Sequence, residues 1–211
     1  MKILVTGATG FIGSALIEHL TNIPDLSVVG MVRSIADIPI ETTVEFRLGE
    51  IGSSNKIDIN LSDIDVIIQT AGRAHIMKDS SANPIEEFRR VNTSGTLDLA
   101  RFAADSGVKR FVFLSSIKVN GESTDLGVPF SINSKVNPRD PYGVSKYEAE
   151  IGLQDISRET GLEVTIIRPP LVYGPGVKGN FNTLINVLSR RTPLPFASVK
   201  DNRRSMVGLD N

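Results

Sequence analysis

An open, doubly wound parallel α/β sheet is the fold class this sequence predicts. Short apolar runs alternate with helix-patterned segments, the first run breaks into a glycine-rich turn, and 211 residues suit one such domain with a small appendage. Residues 3–6 form an apolar run that stops at Gly7, as a buried parallel strand would. Residues 11–20 carry helical spacing through Phe11, Ile12, Ala15, Leu16 and Leu20. Residues 26–32 read as a second strand, 44–48 as a weaker third and 65–71 as a fourth. Residues 84–106 make a long helix, with Pro84 suited to its first turn and Gly107 to its end. A fifth strand over 110–115 precedes a Gly-, Ser-, Asn- and Pro-rich loop over 121–137, expected to lie over the site. A helix over 141–160 stops at Gly161, and a sixth strand over 163–168 ends at Pro169 and Pro170. A helix over 180–191 and a strand over 205–211 running into a helix start complete the chain. This alternation implies right-handed crossovers and a three-layer αβα sandwich.

Composition narrows the function classes. With 23 basic and 24 acidic residues the net charge is −1, which argues against a nucleic-acid binder relying on bulk charge. The absence of cysteine excludes disulfides and thiolate metal sites, and a reducing cytoplasm is the easiest home. No apolar run approaches the roughly 20 residues of a membrane span. The first six residues are too short before Gly7 for a signal-peptide core. There is no His-x-x-x-His and no tight Asp cluster, so no metal site is expected.

Gly7, Gly10 and Gly13 stand between the first strand and first helix as Gly-x-x-Gly-x-x-Gly. Small residues let the backbone approach a pyrophosphate, and the helix N-terminus offers unpaired N–H groups and partial positive charge. Gly7, Thr9, Gly10, Phe11, Ile12 and Gly13 are therefore candidate dinucleotide contacts. The second strand runs into Arg33 with no acid until Asp37. An acid there would bond a free ribose 2′-hydroxyl, whereas arginine suits a 2′-phosphate, so NADP is hinted at and NAD stays open. Ala71, Gly72 and Arg73 close the fourth strand, where a cofactor passes close to the backbone in such sheets. Asn92 is a poor helix former inside the long helix. It reads either as an anchor near the site or as a surface residue.

Ser115 and Ser116 end the fifth strand, where a hydroxyl can bond a substrate oxygen. A serine nucleophile is not expected, because Gly-x-Ser-x-Gly is missing and neither His19 nor His75 has an evident pairing with it. His19 reads as structural and His75 as a loop residue near the fourth strand. Tyr142 and Lys146 lie four apart on the 141–160 helix, hence on one face. A phenol beside an ammonium is a proton-transfer device, since the cation favours the phenolate.

Together these segments resemble the extended short-chain dehydrogenase/reductase family, in its nucleotide-sugar epimerase/dehydratase branch. Residues 6–13 resemble the family's cofactor loop, 142–146 its Tyr-x-x-x-Lys, 115–121 the strand carrying its serine, 92–96 its helix asparagine and 168–176 the turn beside the nicotinamide. The resemblance implies a Rossmann-type NAD(P)-binding domain over 1–168 and a partial substrate-binding region over 169–211. It implies Tyr142 as general acid/base, Lys146 lowering its pKa and holding the nicotinamide ribose, and Ser116 orienting the same substrate oxygen. Ser115, Asn92, Pro169 and Pro170 join the cofactor set by the same resemblance. Lys178 and Asn180 suit a substrate diphosphate. The implied activity is at C4 of a UDP-sugar, as a 4-epimerase or, if Arg33 selects NADP, a 4-keto-sugar reductase. A catalytically silent dinucleotide binder and a reductase of a non-sugar ketone remain alternatives.

Two departures from the family pattern bear on substrate. Leu171 stands where many relatives carry asparagine, and Ile117-Lys118 stands where dehydratases usually carry an acidic pair. The family's members continue past Asn211, so the chain is expected to be truncated in its substrate lobe, with weak or no turnover. The helices over 84–106 and 141–160 are expected to pair two copies in a four-helix bundle, as relatives often do.

Overall fold

The computed structural model describes residues 1–39, 42–53, 59–74, 83–177, 179–190 and 202–211. They fall into two compact units, Met1–Arg168 and Pro169–Asn211. The first holds a six-stranded, all-parallel sheet of β1 (Lys2–Thr6), β2 (Ser27–Val32), β3 (Glu45–Leu48), β4 (Val66–Gln69), β5 (Arg110–Leu114) and β6 (Glu163–Ile167). The strand order is β3-β2-β1-β4-β5-β6. The order reverses between β1 and β4, the topological switch point beside which open α/β sheets bind ligands. The sheet is a Rossmann-type doubly wound sheet, as the alternation of strand and helix patterns predicts.

Alternation along the strands divides the core between two faces. Leu4, Val29, Ile67, Phe111 and Phe113 pack with Leu99, Ala103, Ala149, Leu153 and Ile156 of the helices on one face. Ile3, Val5, Val28 and Val32 pack with Ile17 of α1 (Phe11–Thr21) on the other. Strand residues two apart thus serve one layer and their neighbours the other.

The predicted 84–106 helix forms in three parts: α2 (Pro84–Phe88), a π-helical turn over Arg89–Ser94, and α3 (Gly95–Asp105). Pro84 occupies the first turn, and Gly107 adopts φ +81° after the end. Helix α4 (Pro141–Thr160) begins at Asp140, whose Oδ1 accepts from Gly143 N at 2.6 Å, and ends at left-handed Gly161, φ +79°. A 3-10 turn over Ile117–Val119 follows β5. Among the described residues no helix is long and apolar enough to cross a membrane.

The second unit holds β7 (Leu171–Tyr173), α5 (Asn180–Ser189) and β8 (Met206–Gly208), with β7 and β8 paired in parallel. The sequence predicts only a turn at β7, because three residues between Pro170 and Gly174 give no readable period. Residues 210–211 are not helical, so the expected helix start does not follow β8 within the chain.

Candidate active site

The glycine turn is built for backbone proximity. Gly7 has φ +67°, and a Cβ there would lie 2.8 Å from Ala71 N and 3.0 Å from Thr70 Oγ1. A Cβ on Gly13 would fall 2.1 Å from Gly7 O. No side chain caps the first turn of α1 at Gly10, so its leading N–H groups are left for a ligand anion. Thr9 and Gly10 are exposed, while Phe11 and Ile12 are half-buried. Hydroxyls tie this edge together: Thr70 Oγ1 donates to Thr6 O at 2.6 Å and Ala71 N donates to Thr6 Oγ1 at 3.2 Å. The cradle fits a dinucleotide pyrophosphate.

The end of β4 links this cradle to the tyrosine–lysine pair. A Cβ on Gly72 would meet Asn92 Oδ1 at 3.1 Å and Lys146 Nζ at 3.3 Å. Asn92 is fully buried in the π-helical turn, which overturns the surface reading of this residue. Its Oδ1 accepts from Arg73 N at 2.8 Å, and its Nδ2 donates to Arg73 O and to Ser145 Oγ, each at 3.1 Å. Asn92 therefore fixes the backbone after β4 against α4. Functional residues often sit at such π-turns, where the helix ladder loosens to admit a side chain.

Tyr142, Lys146 and Ser116 lie near one another. The Ser116 hydroxyl faces the Tyr142 phenol closely enough to lower its pKa. Phe88 meets the Tyr142 ring edge-on at 6.1 Å between centroids, and the Arg73 guanidinium lies 5.6 Å from the Phe88 centroid. Lys146 is 3% exposed, with Nζ donating to Leu114 O at 2.9 Å and lying 4.5 Å from the Phe113 centroid. Its distance to the Tyr142 centroid is 6.0 Å.

The electrostatics correct one expectation. Lys146 is expected to lower the Tyr142 pKa, yet the phenol sits above its ordinary 10.0. Burial raises it most, the Ser116 hydrogen bond opposes this, the Asp140 charge raises it and the Lys118 charge lowers it. Burial also disfavours the charge on Lys146. Its pKa falls to about 8 because desolvation outweighs the raising effect of Glu150.

Beneath the site lies a polar cluster that motif reading missed. Glu150, one turn beyond Lys146, is 1% exposed. It accepts from Arg168 Nε at 2.9 Å and from Arg168 Nη2 at 2.5 Å. Arg168 Nη1 also donates to Asn120 Oδ1 at 3.1 Å. Ser115 Oγ donates to Glu150 Oε1 at 2.5 Å, and Ser115 N donates to Ile167 O at 2.7 Å. The hydroxyl expected to touch cofactor is thus committed to Glu150 of α4, while the Ser115 amide joins the end of β5 to β6. The only sequence signal was a glutamate four residues after Lys146.

The remaining candidates are scattered. Arg33 is exposed directly after β2, and His19 is exposed in the last turn of α1. Pro169 and Pro170 open the second unit, and Asn180 begins α5. His75 and Lys178 lie outside the described residues. Among the described residues no three His, Asp or Glu cluster as metal ligands.

The sequence pattern of the NAD dependent epimerase/dehydratase family matches residues 3–207. A UDP-glucose 4-epimerase of Vibrio cholerae is 46% identical over 210 residues, covering 100% of this chain and 63% of that protein. A dTDP-D-glucose 4,6-dehydratase of Mus musculus is 31% identical over 185 residues, 82% of this chain and 51% of that protein. The solved structure of UDP-glucuronic acid 4-epimerase from Bacillus cereus, in complex with UDP-glucuronic acid and NAD, matches with a TM-score of 0.82 at 26% identity. That match covers 100% of this chain and 70% of the solved one. The chain spans 63% and 51% of the two relatives' lengths.

Proposed function

The chain belongs to the NAD dependent epimerase/dehydratase family, and on that footing we propose that it works at C4 of a UDP-sugar, in the manner of a UDP-glucose or UDP-N-acetylglucosamine 4-epimerase. The observation that carries this reading is the close packing of Lys146, beside the Tyr142 ring, against Gly72 at the end of β4, the strand end that borders the glycine cradle, with Ser116 facing the phenol. When bound, the oxidised dinucleotide supplies a hydride acceptor and a positive charge, and the reduced form returns the hydride. Tyr142 exchanges the proton of the C4 oxygen, and Ser116 hydrogen-bonds the same oxygen. The raised pKa keeps the phenol protonated at neutral pH, ready to donate; proton acceptance draws on added positive charge. Lys146, charged below about pH 8, holds ribose hydroxyls with its ammonium donors. Gly7, Gly10 and Gly13 admit the pyrophosphate, with Thr9, Phe11 and Ile12 around it. Ala71, Gly72 and Arg73, fixed by Asn92, would border the nicotinamide end of a bound dinucleotide, and the family resemblance makes Pro169 and Pro170 candidates for it. Lys178 and Asn180 are candidates for the substrate diphosphate by their residue types alone.

The cofactor is NAD by likeness to the solved relative, and exposed Arg33 adds a contact for the 2′-phosphate of NADP. Arg33 is also what favours a second reading, an NADP-dependent reductase of a UDP-4-keto-sugar. An epimerase retains its dinucleotide through both hydride steps, whereas a reductase releases it every turn. Denaturing the purified protein and assaying released dinucleotide, beside stoichiometric NAD(P)H consumption, separates the two. Release of tightly held NAD without net consumption supports the epimerase, and stoichiometric oxidation of NADPH supports the reductase. No binding of either dinucleotide refutes both. We also propose a cytoplasmic homodimer joined through the helices over 84–106 and 141–160, which analytical ultracentrifugation tests.

A further inference from the structure

Two charged residues beside the reacting hydroxyls have no part in the reading above. Lys118 sits in the 3-10 turn after β5, and Ser116 caps that same turn by accepting from Lys118 N at 3.2 Å. Asp140 caps α4, accepting from Gly143 N through Oδ1, two residues before Tyr142. Lys118 Nζ donates to Asp140 Oδ2 at 2.5 Å and to Glu122 Oε1 at 3.0 Å. The two turns are pressed together. A Cβ on Gly143 would lie 3.0 Å from Lys118 O and 3.1 Å from Asp140 Oδ1, so any larger residue would press on both turns.

We infer that Lys118 and Asp140 are a positioning pair: their ion pair fastens the turn carrying Ser116 to the helix start carrying Tyr142, and brings one charge of each sign to bear on the phenol. This rests on the reading of Tyr142 as the proton carrier. The pair joins through side chains the two segments whose hydroxyls must meet, and the buried faces of both turns leave little slack. A half-buried bond between two ions, each also committed to a second partner, is a stiffer tie than a solvated surface pair. The groups that face Tyr142 are few. Ser116 and Lys118 come from the turn after β5, Asp140 from the cap, Lys146 from the next turn of α4, and Phe88 from α2 with Arg73 behind it. Asp140 raises the Tyr142 pKa and Lys118 lowers it, so removal of either charge leaves an opposite signature. Burial draws the Lys118 ammonium down, but the hydrogen bonds to Asp140 and Glu122 overcome this and raise its pKa, keeping the lysine charged across the neutral range.

The test is a titration of ring-labelled tyrosine by NMR, with Tyr142 assigned among the three tyrosines from the Tyr142→Phe spectrum. Lys118→Met is expected to move the Tyr142 pKa up, through loss of the cation and a looser Ser116 bond. Asp140→Asn, which keeps a capping oxygen for Gly143, moves it down, and Lys118→Arg restores the wild-type value. Shifts in one common direction, or none, overturn the inference, because a purely structural clamp changes stability without opposite titration shifts. In turnover, Lys118→Met lowers kcat roughly tenfold through misplacement of the hydroxyls, with KM little changed, and Lys118→Arg recovers it. The titration needs no turnover. Opposite pKa shifts with kcat unmoved would leave the positioning pair standing and remove Tyr142 from the chemistry.

Discussion

Lys146 carries a stability penalty that its pH dependence exposes. Its ammonium is 3% exposed and its pKa is about 8 in the folded protein, against 10.5 for a solvated lysine. Between those values the unfolded chain holds a proton that the folded chain has lost, so stability rises with pH through this window. Integrating the linkage relation from about pH 7.5 to about pH 9.5 gives a gain of about 2 kcal/mol from this one group. Lys146→Met removes the titration while keeping most of the buried stem. The assay is urea unfolding of both proteins at the two pH values. Other titrating groups are common to both chains, so the difference between their pH slopes isolates Lys146. The wild type should gain about 2 kcal/mol more than the variant over the interval. Equal slopes would refute the claim that burial holds this ammonium down, and with it the view that stability is given up here to keep a charge beside the phenol.

Other perturbations test neighbouring parts of the account. Glu150→Ala leaves the Arg168 guanidinium without its carboxylate and should cost about 3 kcal/mol, lowering the thermal midpoint by roughly 6–12 °C in scanning calorimetry. Gly13→Ala forces a Cβ to 2.1 Å from Gly7 O, so calorimetry should show a loss of roughly 1–3 kcal/mol and dinucleotide titration a weakened Kd. Arg33→Ala should raise the Kd for NADP and leave that for NAD unchanged; equal effects on both would remove Arg33 from the ribose site.

The parts of this fold that the sequence made legible are those set by local chemistry. Gly7, Gly107 and Gly161 stand where the backbone takes positive φ, and Pro84 stands where a helix begins. Each acts through its own backbone or one turn away. The strand–glycine–helix order and the Tyr142–Lys146 spacing are equally local, and they located both halves of the candidate site. What was hidden depends on distant partners. Asn92 read as a poor helix residue because its bonds to Arg73 and Ser145 arise only once β4 and α4 are packed. Glu150 read as one more helix acid, although it lies in the core against Arg168 and Ser115. The sign of the Tyr142 shift was missed for a related reason. Sequence shows the lysine four residues on but not the burial that outweighs any nearby cation.

The central claim is that Tyr142 moves the proton at C4 of a UDP-sugar. The direct measurement is turnover of UDP-glucose and UDP-N-acetylglucosamine at C4, and of their 4-keto forms, by the full-length protein and its Tyr142→Phe variant, each with its dinucleotide content determined. A loss of about 10²–10⁴-fold in kcat with dinucleotide binding intact is the predicted result. Turnover in the variant within a few-fold of wild type would contradict it.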